Sequence, residues 1–287
     1  MTFEAGRKTV TSLCGKYMIS AESQGSRPPA YNLIKRSLLD AEELSLIRTA
    51  LEGDSAILQN AYTVSSGQGN DVRLCLWNQP GDDITGMIAR AHKVAGTMEQ
   101  LLGGEVYHYH TKLMMKEALT GGQFVWHQDY GYWYNNGCLF PDMATVFIAI
   151  DPCHPDNGCL EVLKGSHKMG RIDHTQKGQQ TGADTERLSH AMQRFPRVAV
   201  EMQPGDALFF HCNLLHASGP NHSEERRWAF LIAYNRASND PVKEHHHPRY
   251  TPLRQVSDEA IRKCTSMTNC EGKDFLSRER EEKHGHH

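Results

Sequence analysis

The order of elements predicts an α+β protein that is mainly β, with helices near the N-terminus followed by a sandwich or barrel that carries the chemistry. Two early segments hold apolar residues at helical spacing, and from Val106 onward short alternating or apolar runs follow one another. Gly, Pro and Asn clusters punctuate those runs, as at 152–158, 203–206 and 218–221. With 39% hydrophobic and 23% charged residues in 287, the chain has the apolar material for a sizeable core.

In order, residues 1–33 read as an N-terminal arm, rich in Ser, Gly and Pro between Ser23 and Pro29. Asp40-Ala41-Glu42-Glu43 is a capping box, and Leu44, Ile47 and Leu51 behind it predict a helix over 41–52. Val72 to Trp77 alternates as a strand does. Asp82-Asp83 opens a second helix, with Ile84, Ile88, Ala91 and Ala95 on one face, ending near Gly103-Gly104. The β part begins with a long strand from Val106 to Leu119. It continues through Phe124–Tyr130, Ala144–Ile150, Leu160–Leu163, Arg197–Met202, Ala207–His211 and Trp228–Asn235. The segment 171–196 is long, polar and strand-free, as a lid or insertion over a site would be. The tail beyond Asn239 is polar, with a short helix expected near Ser257–Cys264. This gives one domain over 1–287, divided into an arm (1–33), a helical part (34–104), a β core (105–236) and a C-terminal extension (237–287).

A net charge of −3 and a pI near 6.6 provide no electrostatic footprint for nucleic acid or anionic lipid. No apolar run approaches the roughly 20 residues that span a bilayer. Eight cysteines without a C-x-x-C pair read as reduced thiols rather than a zinc ribbon or disulfide scaffold. These features describe a cytoplasmic protein that binds neither nucleic acid nor membrane.

Chemistry concentrates around Trp126-His127-Gln128-Asp129. On a strand, His127 and Asp129 point to one face, so an imidazole and a carboxylate can share a metal ion. Alone, the pattern more often describes an ordinary strand His beside a solvated Asp. Later residues strengthen it. The turn Gly205-Asp206 leads into the apolar strand Ala207–His211, then His216, then Arg227. A His near a strand end and an Arg eleven residues later on the neighbouring strand would meet across a hairpin. Two His and one carboxylate leave open positions on a metal, which suits a non-haem Fe(II) that takes a co-substrate and O2. A buried Arg nearby can clamp a dicarboxylate through two parallel hydrogen bonds. His245-His246-His247 looks like a metal tract but lacks a spaced carboxylate or Cys, and reads as surface or lid.

Three blocks together resemble the phytanoyl-CoA dioxygenase family of Fe(II)/2-oxoglutarate oxygenases, near its ectoine hydroxylase and proline hydroxylase members. They are His127-Gln128-Asp129, the stretch Asn157 to His167, and Gly205 to Gly219 with Arg227. The resemblance covers most of 105–236 and implies a double-stranded β-helix, the jelly-roll or cupin-like core, with the N-terminal helices packed on it. It implies His127, Asp129 and His216 as iron ligands, Arg227 on the distal carboxylate of 2-oxoglutarate, and Ser218 assisting it. Gln128 and Lys112 fall where relatives approach the co-substrate. His211 rivals His216 as third ligand, although the His-x-Ser-Gly context and the spacing to Arg227 favour His216.

The activity implied is hydroxylation of an unactivated C–H, with 2-oxoglutarate and O2 consumed and succinate and CO2 released. Relatives that halogenate replace the ligand carboxylate by a small residue, so the presence of Asp129 favours hydroxylation. The expected substrate is a small polar metabolite resembling an amino or imino acid, such as proline or ectoine, bound by a monomer or homodimer. Trp126, Tyr132 and Trp133 are read as pocket wall or, alternatively, as core. Other readings are the same chemistry on an acyl-CoA or natural product, and an idle metal-binding jelly-roll. A different cupin-like metal enzyme would leave Arg227 without a task.

Overall fold

The computed structural model describes residues 32–53, 55–65, 71–277 and 279. The expected arm therefore lies outside the described residues except at its last positions. There Asn32 and Leu33 already belong to a strand, β1 (Asn32–Lys35). Then come α1 (Ala41–Gly53), α2 (Ser55–Gln59), β2 (Tyr62–Ser65), β3 (Asp71–Trp77), α3 (Ile84–Arg90) and α4 (Thr97–Leu102). The β part runs through β4 (Val106–Lys116), β5 (Phe124–His127), the one-turn helix α5 (Asp129–Trp133), β6 (Met143–Ala149) and β7 (Leu160–Leu163). It continues with β8 (His174–Lys177), β9 (Gln180–Ala183), α6 (Thr185–Arg194), β10 (Arg197–Ala199), β11 (Ala207–His211), β12 (His216–Ser218) and β13 (Arg227–Arg236). The tail adds α7 (Glu259–Lys263) and β14 (Phe275–Leu276).

Two sheets face each other. The larger has the order β1-β11-β6-β13-β4-β3-β14, with β2 also on β3, and the smaller is β10-β7-β12-β5. The larger sheet is covered on both faces, so its strands are apolar without interruption, as in Ala229 to Ala233. One face carries Trp77, Val146, Ile148, Phe209, Phe230 and Ile232 against the helices. The other presents Phe147, Leu208, Phe210 and Ala229 to the smaller sheet's Leu160 and Val162. Alternation along each strand sorts the two sets.

The capping box forms as expected: Asp40 Oδ1 accepts from the N–H groups of Glu42 and Glu43, and Glu43 Oε2 accepts from the N–H of Asp40. The second helix is interrupted. Ala91 is extended (φ −61°, ψ 142°), and a five-residue π-helical turn over 92–96 precedes α4. The tail causes the break, because Val256 donates to the Arg90 carbonyl and accepts from the N–H of His92. The sheet also extends beyond 105–236, since β1, β2, β3 and β14 all join it.

The segment 171–196 is not strand-free. It forms the β8–β9 hairpin and α6, and it is pinned to β5: Gln180 accepts from the N–H of Val125 and donates to the carbonyl of Gln123. The tail is anchored by a fully buried ion pair, Lys273 Nζ to Asp83 Oδ1 at 3.0 Å. His246 and His247 are likewise buried, against the surface or lid position expected. His247 stacks on His110 with centroids 4.7 Å apart and donates from Nδ1 to Asn78 Oδ1 at 3.0 Å. No helix among the described residues is long and apolar enough to cross a membrane.

Candidate active site

β5 of the smaller sheet ends at His127, β12 begins at His216, and the two residues are paired in register. Their rings lie 4.1 Å apart. Each Nδ1 lies against the carbonyl two residues back, His127 on Val125 at 2.7 Å and His216 on Leu214 at 2.9 Å. A carbonyl only accepts, so Nδ1 carries the proton and each Nε2 lone pair faces the cavity. Burial and the neighbouring His216 hold the His127 imidazole well below its ordinary pKa, in the neutral form a ligand needs.

Asp129 is not on a strand. β5 stops at His127, Gln128 stays extended (φ −113°, ψ 135°), and Asp129 opens α5. The extended Gln128 still turns both side chains to one side. Asp129 Oδ1 lies 3.7 Å from His127 Nε2 and 3.5 Å from His216 Nε2. Its other oxygen accepts from Thr145 Oγ1 at 3.0 Å. One ligand atom from each residue lies within 4.8 Å of the others, a grouping able to hold a metal ion. His211 is outside this group; it faces His167 and accepts from the N–H of Asn213.

Across the cavity stands the larger sheet. Along β4 every second residue points inward: His110, Lys112 and Met114 line the cavity, with Phe147 of β6 and Arg227 and Leu231 of β13. Arg227 and His216 are therefore not hairpin neighbours. β13 pairs with β4 and β6, β12 with β5 and β7, and the two residues meet across the sandwich. The chain between them changes sheets, which an eleven-residue separation does not reveal. Arg227 is fully buried; its Nη2 donates to the Gly158 carbonyl at 3.0 Å, its Nη1 approaches Met114 Sδ at 3.9 Å, and among the described residues its Nε has no partner. Arg226 faces away, pairing with Glu52 and Asp151.

A buried guanidinium opposite a His/Asp/His cluster is the arrangement that the sequence blocks resemble, and comparison with known proteins gives it a family. Residues 33–229 match the family model for phytanoyl-CoA dioxygenase (PhyH). The chain belongs to the phytanoyl-CoA dioxygenase family. It is 32% identical over 231 residues to an L-proline trans-4-hydroxylase of Streptomyces griseoviridis, covering 75% of this chain and 84% of that protein. It is 27% identical over 222 residues to an ectoine dioxygenase of Stutzerimonas stutzeri, covering 72% and 74%. Among solved structures, EctD from S. alaskensis with bound Fe superposes with TM-score 0.66 at 25% identity, over 79% of this chain and 83% of that one. The same enzyme with 2-oxoglutarate and 5-hydroxyectoine gives 0.64 at 26%, over 81% and 82%. The two packed sheets are thus the family's jelly-roll, and the protein is a dioxygenase.

Within this family frame, the sequence-predicted residues divide. His127, Asp129, His216, Ser218, Arg227, Lys112, Tyr132 and Trp133 all line one cavity. Gln128 does not. Its side chain is fully buried behind the motif, donating to the carbonyls of Gly170 and Asn213 and accepting from the N–H of Ile172. Both amide protons and the amide oxygen are thus engaged away from the cavity. Trp126 also points away, into a cluster with Leu163, Ile172 and Leu215, with Arg197 over its ring. Strand alternation explains both, since neighbours of His127 must face the other side.

Sequence reasoning passed over Thr145, His174 and Lys116. His174 accepts from the N–H of Gln128 and its ring lies so close to Gly131 that a Cβ there would meet it at 2.2 Å. The aromatic run after Asp129 is therefore one helical turn: Tyr132 and Trp133 face inward and Tyr134 is exposed. Lys116 was findable, because it shares the inward face of β4 with Lys112, four residues earlier.

Proposed function

We propose that the chain uses Fe(II) and 2-oxoglutarate to hydroxylate an unactivated C–H of a small polar metabolite of the amino- or imino-acid class, releasing succinate and CO2. One observation carries this reading. Arg227 is a fully buried cation that lines the same cavity as His127, Asp129 and His216, and among the described residues it has no carboxylate partner. Leaving a guanidinium desolvated without an anion is costly unless a ligand supplies one. The distal carboxylate of a 2-oxo dicarboxylic acid matches the fork in charge and geometry.

In this reading His127, Asp129 and His216 hold the metal, and Thr145 keeps Asp129 turned toward it through their hydrogen bond. Bound Fe(II) with the keto-acid supplies the oxidative chemistry that activates O2 against a C–H bond. The chain's own residues do the rest. The carbonyls of Val125 and Leu214 fix the two imidazole tautomers. Arg227 and Ser218 orient the keto-acid. Phe147, Phe210 and Leu231 line the cavity with apolar surface that keeps water from the reacting carbon. Tyr132, Trp133 and His110 form the opposite end, where a substrate would stand; Tyr132 is held by its hydroxyl donating to Thr181 at 2.5 Å. The substrate class rests on the L-proline and ectoine relatives and on a cavity with few charged groups, Lys112 being the cation not assigned to the keto-acid's distal end.

The test is anaerobic reconstitution with Fe(II) and 2-oxoglutarate, following the visible charge-transfer band of the chelate. Admission of air with a panel of amino and imino acids should then give succinate in step with one hydroxylated product. No band and no succinate would overturn the reading.

A further inference from the structure

Lys116 is the last residue of β4, and in register it stands directly opposite Arg227. Both side chains are fully buried. Two like charges facing each other across a strand pair destabilise it, and among the described residues neither has a carboxylate partner. Burial and the adjacent guanidinium push the Lys116 ammonium well below its ordinary pKa. A cation pair of this kind persists where something else is gained.

The hydrogen bonds indicate what. Lys116 Nζ donates to Ser218 Oγ at 2.9 Å, lies 3.5 Å from the Gly158 carbonyl, and donates to the Gly219 carbonyl at shorter range. An ammonium has three protons, and all three are directed to these acceptors. Lys116 itself does not reach the cavity, whereas Ser218 and Arg227 line it. Gly158 O accepts from both Lys116 and Arg227, so one carbonyl ties the two cations together. Because Ser218 Oγ accepts from Lys116, its single proton is left to point into the cavity beside the guanidinium. The turns that carry these carbonyls are in contact. Gly158 has φ +69°, and a Cβ there would meet the Gly219 carbonyl oxygen at 2.3 Å, so only glycine lets them close.

We propose that Lys116 is a positioning residue that makes the keto-acid end of the cavity selective for a second carboxylate. It fixes the Ser218 hydroxyl as a donor and holds Gly158 against Arg227, so that the hydroxyl and the guanidinium fork meet one anion together. The inference rests on the Fe(II)/2-oxoglutarate reading above. Its consequence is discrimination between 2-oxoglutarate and 2-oxovalerate, which has a methyl in place of the distal carboxylate.

The experiment titrates the Fe(II)-loaded full chain, without O2, with each keto-acid and reads Kd from the chelate band. Lys116→Met should weaken 2-oxoglutarate by about tenfold, the scale of one lost charge-assisted contact, and move 2-oxovalerate by less than about twofold. Ser218→Ala, which keeps the ammonium, should lower the same ratio, and the double variant should add little to either single one. It also serves if Lys116→Met does not fold. A merely structural lysine would weaken both keto-acids together, so an unchanged ratio in either variant overturns the proposal, as does full additivity. If the wild-type chain forms no band with 2-oxoglutarate, the parent reading falls and takes this one with it; a wild-type band with unchanged variant ratios overturns this inference alone.

Discussion

His127 and His216 stand on the four-stranded sheet, Lys116 and Arg227 on the eight-stranded sheet that faces it, and the protein treats the two pairs differently. Each imidazole is completed locally, its Nδ1–H donated to a carbonyl two residues back, which leaves Nε2 free to face the cavity. Among the described residues the two cations are held by neutral groups, Ser218, Gly158, Gly219, the Met114 sulfur and the Phe147 ring. The smaller sheet therefore presents the proposed ligand atoms of two imidazoles with their other nitrogens satisfied, and the larger sheet presents charge without a carboxylate partner among the described residues. A site of this kind is pre-shaped for a metal on one wall and unfinished without an anion on the other, which separates the roles that substitutions should expose.

The largest effect should come from the finished wall. Asp129→Ala removes the carboxylate that stands between the two Nε2 atoms, and loss of a proposed ligand should exceed the roughly 10- to 100-fold that groups behind a ligand cost. Succinate formation should fall to background and the chelate band should vanish; wild-type-like turnover would break the comparison at its first term. On the unfinished wall the loss should be smaller and confined to one partner. Arg227→Lys keeps the charge but not the fork, and should raise the KM for 2-oxoglutarate by about tenfold or more, while metal binding without keto-acid stays near wild type. An unchanged KM would assign the anion to another cation.

Gln128 sharpens the comparison because it lies between two proposed ligands and belongs to neither wall. Gln128→Leu leaves two carbonyls and one N–H without their partners, and should cost about 3 kcal/mol or more of folding stability. Thermal unfolding should show this as a lower Tm, with a smaller change in 2-oxoglutarate affinity than Arg227→Lys produces. The reverse ranking would return Gln128 to the co-substrate.

The same residue shows what was legible in the sequence. Strands of the larger sheet could be read because burial on both faces leaves long apolar runs, as in β11 and β13. His127, Asp129, His216 and Arg227 were legible as a set through their spacing and flanking residues. Contacts that depend on which sheet a segment joins were not. β12 is three residues long and carries no periodicity, so the path from His216 to Arg227 looked like a hairpin. The hairpin β8–β9 is polar because it lies outside the sandwich, and its links to the site, His174 on the backbone of Gln128 and the Thr181 carbonyl on the Tyr132 hydroxyl, leave no pattern. The tail's His246 and His247 looked like surface since their burial depends on Asn78 and His110, far away in the chain.

A last effect, silent at neutral pH, concerns imidazoles as neutral groups in general. His108, on β4 and outside the proposed ligand set, donates from Nδ1 to the Asn78 carbonyl and accepts at Nε2 from the Thr111 hydroxyl. Burial pushes its pKa down to about 3, and burial together with His167 pushes His211 to about 4. Both folded values lie below the ordinary 6.5, so between them the unfolded chain binds the extra protons. Their contribution to stability is therefore complete above about pH 6.5 and is lost as the pH falls, at about 1.4 kcal/mol per unit for each histidine until its folded pKa is reached. Tm measured from pH 7 to pH 4 should decline accordingly, and His108→Gln should lower Tm at pH 7 yet flatten that decline. An equally steep slope in the variant would mean that other groups carry the acid sensitivity.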